Sequence, residues 1–382
     1  MAGGQPTNSG LAGASFRAAP WPPAGITCSN FRVDFTLGET QQAVAQAAAH
    51  VLDRSPPLPD HALWKELGQA GLLGLALPAW LGGDGLGVLD TAVLLTEVGR
   101  RAAAVPALAT LAMGVLPVVR WGGRGLERAL LDGVAAGDTI LTAAVREPSD
   151  PMPPVPATTV RNGAVSGVKT GVPYGAAARW ILVPASLASG GTGVALVDPS
   201  AHGVSLRSAP SSAGGPEYTL HLDEAPVAHL LGDGRAVTGL YQFTLAGAAC
   251  LADGALAGAL ALTTAHVGSR QQFGRPLATF QAVAQQIADV AIVSRTLHLA
   301  TLSACWRLET GREAGGDLDV ATYWLTDQAP GALRTCHHLH GGTGMDVAYP
   351  LHRYSALVKD LARLVGGADY RLDRLGARVG AG

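Results

Sequence analysis

Cysteine is scarce in this chain. The 382 residues hold four, Cys28, Cys250, Cys305 and Cys336, with no CxxC spacing among them. They read as reduced thiols of a cytosolic protein rather than as a disulfide framework. Aromatic residues are few at 5%, which disfavours a surface that stacks nucleic-acid bases. Charged residues reach only 15%, and the formal net charge is −2. That balance gives no electrostatic case for nucleic acid or for an anionic membrane. The first 26 residues lack the apolar core of a secretory signal. Rich in Gly, Ala, Ser and Pro, they read as part of a flexible segment over 1–35.

Apolar residues are plentiful at 48%, as expected of a well-buried soluble protein, and the length suggests two or three packed domains. Residues 236–269 carry a single charged residue, Asp253, but Gln242, Thr244 and His266 and recurring glycines interrupt the run. A helix buried in a protein bundle is expected there, not a membrane span. Helical periodicity fills the first third: 37–52, a helix from Asp60 as N-cap through Leu72, another over 90–101, and further turns to about Trp121. From Asp138 the texture changes to short β-favouring runs at 140–145, 157–160, 180–183, 194–197, 204–206 and 218–222, separated by Gly, Pro and Ser. From about Val237 the helical pattern returns. The expected fold is α+β: an N-terminal helical domain over 36–136, a central antiparallel β domain over 137–235 and a C-terminal helical domain over 236–382.

Two stretches carry the chemistry. The first is Ser269-Arg270-Gln271-Gln272-Phe273-Gly274-Arg275-Pro276, followed by Thr279-Phe280-Gln281. An Arg ahead of an aromatic and a Gly presents a planar fork to a diphosphate while the ring covers a flat heterocycle. The second is His338-Leu339-His340-Gly341-Gly342-Thr343-Gly344, then Tyr349-Pro350. Adjacent glycines let the backbone approach such a ligand without a Cβ in the way. Cys336, His337, His338 and His340 also invite a zinc reading, but no carboxylate or further cysteine accompanies them, and no metal site is expected. Gly82, Gly83 and Gly85 lack the preceding strand and following acidic residue of a dinucleotide fingerprint.

In this order, separated by a long helical region, the two stretches resemble the flavin-binding segments of the acyl-CoA dehydrogenase family, and the likeness extends from about Phe35 onward. The resemblance implies a C-terminal four-helix bundle, FAD as cofactor, an acyl-CoA substrate and an electron-transfer flavoprotein or similar acceptor. It also implies that Arg270, Gln272, Phe273, Phe280 and Gln281 form one wall, and His338, Gly341 and Gly342 the other, of a site for FAD held by a neighbouring subunit. Many members carry their catalytic base in a Glu-Gly-Thr segment after the Tyr-Pro. The same distance here lands on Val365-Gly366-Gly367. A second subset places the glutamate on the helix before the Arg segment, where Thr244 stands. Gly171 and Pro173 occupy the family's flavin-facing Trp-x-Thr positions, and an acidic Gly-rich loop is reduced to Arg146-Glu147-Pro148-Ser149-Asp150.

Inward-facing positions are degraded while outward-facing ones are intact. That pattern resembles the base-less subunit of heterotetrameric (α2β2) dehydrogenases that oxidise steroid side-chain CoA thioesters, whose paralogous partner carries the catalytic Glu. The run Asp317-Leu318-Asp319-Val320-Ala321-Thr322 and the later His352-Arg353-Tyr354 point to the same subgroup. The alternative is a complete homo-oligomeric enzyme with an unrecognised base, for which Asp360 and Asp369 are the candidates.

Overall fold

Helices form where apolar residues recur every three or four positions. In α1 (Glu39–Arg54) the buried residues are Val44, Ala48 and Leu52, one stripe at i, i+4, i+8 that packs on α3 (Val88–Arg100). The computed structural model describes residues 35–54 and 60–380. The expected flexible segment 1–35 therefore lies almost wholly outside the described residues, as do Cys28 and Pro57-Leu58-Pro59. Leu37–Gly382 is one compact unit. Its N-terminal part continues with α2 (Asp60–Gln69), α4 (Leu116–Trp121) and α5 (Gly123–Leu131).

A π-helical stretch, Leu108–Val115, runs straight into α4, and a second, Trp324–Gln328, joins α8 (Gly315–Tyr323) to α9 (Ala329–His340). Each precedes a proline, Pro117 or Pro330, that is the second residue of the following helix. Proline lacks an N–H, and its ring collides with the carbonyl four residues back. The wider turn accommodates both defects.

The central sheet has the order β6-β7-β3-β2-β4-β5-β8, with β1 (Leu141–Ala143) beside β4. Its members are β2 (Thr159–Arg161), β3 (Ala164–Pro173), β4 (Trp180–Leu187), β5 (Thr192–Val197), β6 (Val204–Ala209), β7 (Glu217–Pro226) and β8 (His229–Leu231). Most pairings are antiparallel, as expected, but β1 and β2 each run parallel to β4, so the sheet is mixed. The continuous apolar runs of β4 and β5 follow from burial on both faces. Ile181, Val183, Ala195 and Val197 enter one core, while Leu182, Val194 and Leu196 point into the larger core shared with the helices.

The C-terminal bundle is built from α6 (Gly234–Ser269), α7 (Gln281–Glu309), the α8–α9 rod and α10 (Leu351–Leu364), with α11 (Gly367–Val379) against α8. By length and composition α6 and α7 are apolar enough to cross a membrane. In this fold they pack side by side in the bundle. The glycines of α6 have a packing reason. A Cβ on Gly254 would stand 1.9 Å from the Thr96 carbonyl oxygen, and one on Gly258 2.1 Å from that of Arg100. The backbones of α3 and α6 therefore nearly touch.

Candidate functional site

The C-terminal ends of α6 and α9 meet, and both sequence motifs begin there. His266, in the last turn of α6, stacks on His340, the last residue of α9, with ring centroids 4.4 Å apart. One turn past His266, Arg270 caps α6 and opens a small hairpin of β9 (Gln271–Gln272) and β10 (Arg275–Pro276). Directly past His340 come Gly341 and Gly342. The structure thus brings the two distant segments together at one end of the bundle.

His340 is buried. Its Nδ1 lies 2.8 Å from the Cys336 carbonyl oxygen and its Nε2 3.1 Å from the Tyr349 hydroxyl. Burial pushes His340 toward the neutral form; the Cys336 carbonyl opposes this, and neighbouring His266 and His337 reinforce it. His266 is pushed the same way by burial and by Arg270. The positive charge of this segment therefore rests on Arg270 and Arg275. The Arg270 guanidinium has no hydrogen bond or ion pair among the described residues. Phe273, at the hairpin tip with φ +53, is 92% exposed, and its ring stands 6.3 Å from that of Phe280. The Arg275 guanidinium lies over the Phe280 ring at 4.0 Å. Gln272, Gln281 and His338 are exposed, with Gln281 the first residue of α7. A Cβ on Gly341 or Gly342 would meet nothing within 4 Å, so this backbone faces open space. The wall is outward-facing, cationic and aromatic. Among the described residues no group of three or more His, Cys, Asp or Glu is placed to hold a metal ion.

A second region faces inward. Where α3, the sheet and α10 converge lies a cavity of about 140 Å3, lined by Val105, Leu108, Gly171, Pro173, Leu361 and Arg363 among others. That is below the roughly 300–1,000 Å3 of ordinary small-molecule sites. Charged side chains are part of its lining. Arg363 forms a bidentate pair with Glu217, both contacts 2.5 Å, and hydrogen bonding to Glu217 raises the Arg363 pKa. Asp360 accepts hydrogen bonds from the Ser212 and Ala213 backbone N–H groups at 2.9 and 2.7 Å. Arg146 Nε is buried without a hydrogen-bond partner; burial and the nearby Arg363 lower its pKa, with Glu217 opposing.

Val365 is fully buried, and its carbonyl oxygen accepts a 2.5 Å hydrogen bond from Arg371 Nε. Thr244 is also fully buried, its hydroxyl donating to the Leu240 carbonyl oxygen at 2.8 Å. Asp360 engages both oxygens with backbone donors, and Asp369 is exposed in the first turn of α11, where a carboxylate favours the helix dipole.

With this geometry in place, the likenesses are decisive. Residues 38–138 match the acyl-CoA dehydrogenase N-terminal domain and residues 235–379 the acyl-CoA dehydrogenase C-terminal domain. The chain belongs to the acyl-CoA dehydrogenase family. It is 46% identical over 348 residues to the acyl-CoA dehydrogenase FadE28 of Mycobacterium tuberculosis, covering 91% of this chain and 99% of that one. Among solved structures it resembles a Tcur3481–Tcur3483 steroid ACAD variant (TM-score 0.84, 34% identity). It also resembles the ChsE4–ChsE5 complex of Mycobacterium tuberculosis (TM-score 0.83, 31% identity). Each match covers 91% of this chain and 99% of the other.

Acyl-CoA dehydrogenases are FAD-dependent oxidoreductases acting on CH–CH bonds. The outer wall fits such a group: an unpaired guanidinium, an exposed ring and open glycine backbone suit a diphosphate and a flat heterocycle. The inner cavity is small and lined by the Arg363–Glu217 pair, Asp360 and apolar side chains. Sequence reasoning missed His266 and Arg275, although His266 stands at i, i+4 from Arg270. It also missed Glu217, whose partner Arg363 is 146 residues away, a separation that leaves no local signal.

Proposed function

We propose that this chain is the base-less subunit of a heteromeric FAD-dependent acyl-CoA dehydrogenase, contributing one wall of a flavin site shared with a paralogous partner. The observation that carries the reading is the contrast between the two faces: the outer wall presents an unpaired Arg270 and open glycine backbone, while the inner cavity is small and lined by the Arg363–Glu217 pair and Asp360. Bound FAD supplies the hydride acceptor for Cα–Cβ desaturation of an acyl-CoA thioester. In this chain Arg270 holds the diphosphate, Phe273 and Phe280 cover the adenosine side with Gln272, Gln281 and His338 around them, and Gly341 and Gly342 bring the backbone close. The partner provides the carboxylate that takes the α-proton and the contacts to the flavin ring. The likeness to a steroid ACAD and to a two-component complex supports a heteromer acting on a steroid side chain. An electron-transfer flavoprotein as acceptor and a cytoplasmic location go with this reading.

The alternative, a complete enzyme of identical subunits, needs a base from this chain. Asp360 is engaged by backbone donors and Asp369 points to solvent. The test is to purify the chain alone and co-expressed with the paralogue, then measure flavin content and acyl-CoA turnover. One FAD per heterodimer, with turnover in the complex and little or none in the isolated chain, is expected. Loss of a general base typically costs ~10²–10⁴-fold in rate. Robust turnover by the homogeneous chain would sink the reading.

A further inference from the structure

The histidine cluster at the end of α9 has one member that the flavin wall leaves without a role. His338 is exposed on that wall, and His340 stacks on His266 and reaches the Tyr349 hydroxyl. His337 is half-buried and turns the other way, into the angle between α9, the glycine loop and α10. Both of its ring nitrogens are engaged. Nδ1 lies 3.0 Å from the Gly344 carbonyl oxygen, and Nε2 lies 2.8 Å from the Ser355 hydroxyl on α10.

A carbonyl oxygen only accepts, so Nδ1 carries the proton and donates to it. In the neutral ring Nε2 is then an acceptor, and the Ser355 hydroxyl donates to it. His337 therefore fastens the loop to α9 and to α10 at once. The point it fastens is Gly344, which is buried, whereas Gly341, Gly342 and Thr343 before it and 345–348 after it are exposed. Met345 and Val347 are 81% and 82% exposed. The loop's backbone bonds are local: Gly341 N–H to the His338 carbonyl, Asp346 to Thr343 and Tyr349 to Asp346. A segment with few buried contacts opens readily, and paired glycines add backbone freedom. At Gly344 the loop lies flat on α9, since a Cβ there would stand 2.9 Å from His340 Cβ and 3.1 Å from the His337 carbonyl oxygen.

We infer that His337 is the positioning residue of the glycine wall: its Nδ1–H, oriented by Ser355, fixes the Gly344 carbonyl and with it the Gly341–Gly342 backbone that faces the flavin. The inference rests on the shared-flavin reading proposed above. Neighbouring histidines thus divide the work, His338 facing the ligand and His337 setting the loop behind it. A loop free to tilt must be ordered at each binding event, and a loop already set avoids that cost. His337 therefore acts on FAD affinity without touching the cofactor. Its effect is that of one neutral hydrogen bond, roughly two- to ten-fold in affinity.

The experiment compares three substitutions in the chain co-purified with its paralogue. His337→Leu removes both contacts, His337→Asn keeps a donor where Nδ1 stands, and His337→Gln keeps a polar atom where Nε2 stands. Hydrogen exchange over 341–349 is read in the flavin-free complex, and FAD affinity by fluorescence titration of the same complex. Exchange should quicken several-fold in His337→Leu and His337→Gln and stay near the parent rate in His337→Asn. FAD affinity should fall about two- to ten-fold in the first two and recover in the third. A histidine that merely fills space would not separate Asn from Gln, and that pair carries the test alone if His337→Leu fails to fold. Unchanged exchange in His337→Leu, or rescue by Gln as complete as by Asn, would overturn the inference. Faster exchange with unchanged FAD affinity, while Arg270→Ala weakens FAD, would overturn the positioning role and leave the shared site standing. Unchanged affinity in both His337→Leu and Arg270→Ala would overturn the shared site and this inference with it.

Discussion

Replacing Arg270 by alanine separates a residue that holds a ligand from one that holds the fold. The side chain is exposed and has no partner among the described residues. Its removal should therefore change the stability of the flavin-free chain by no more than about 0.5 kcal/mol. If it clamps a diphosphate, the loss appears only with flavin. A hydrogen bond to a charged group contributes ~1.5–3 kcal/mol, and each 1.4 kcal/mol is a factor of ten, so FAD affinity should fall by roughly 10- to 150-fold. Burial pushes His266 and His340 toward neutrality, so neither imidazole replaces the lost charge near pH 7. Arg270→Lys should recover part of the affinity, because an ammonium restores charge but not the planar fork. The assay is flavin absorbance per heterodimer in the co-purified complex, then fluorescence titration of the stripped complex. Full flavin retention in Arg270→Ala, or a large loss of stability without flavin, would refute the reasoning.

The remaining predictions concern the chain's own framework. Glu147 is buried, accepting hydrogen bonds from Lys169 Nζ at 2.8 Å and from the Ala157 and Thr158 backbone. Although burial opposes it, its pKa is lowered from 4.5 to about 2, chiefly by Lys169. A carboxyl with a depressed folded pKa contributes stability present above about pH 4.5 and lost as pH falls toward 2, at most ~3 kcal/mol here. Desolvation of Lys169, whose own pKa is lowered, offsets part of that. Melting curves from pH 6 to 3 should show the loss. Glu147→Gln should flatten that slope and cost ~3–5 kcal/mol at pH 7, because it leaves Lys169 buried and unpaired. Gly254→Ala drives a Cβ into the Thr96 carbonyl and should cost ~1–3 kcal/mol by denaturant titration; a neutral result would mean that α3 and α6 separate easily. Val365→Glu should leave the isolated chain without acyl-CoA turnover and less stable, since the carboxylate enters a fully buried site; activity in that variant would show the flavin-facing side to be intact.

What was legible in the sequence was what is local. The Arg270 and Gly341 segments are each a few residues long, and their chemistry is written in consecutive positions. The apolar runs of β4 and β5 gave those strands away for the same reason. β3 is absent from the expected runs because Gly167, Gly171 and Pro173 interrupt its β-favouring pattern. The structure accommodates them in a strand with register shifts at Val165/Gly167 and Lys169/Val172, where Gly167 and Gly171 take φ of +154 and +66. The short β8 was missed too, since three residues leave no periodicity to read. The parallel pairing of β1 and β2 with β4, and the Glu217–Arg363 pair, depend on contacts between distant segments and had no local sign.

On the proposed reading, this division between local and distant also explains how one face degrades while the other persists. The outer wall sits at helix ends and a hairpin tip, so its residues contribute little to the core and remain available for a ligand. The inner face is core. A base there must hold a buried carboxylate ready to take a proton, at the cost of desolvation. An apolar side chain at the same place gains the ~1.5–3 kcal/mol of a buried Val, Leu or Ile. Once a partner supplies the base, nothing opposes that gain. Val365 held by Arg371, and a small cavity lined by the Arg363–Glu217 pair, are the arrangement that stability alone favours.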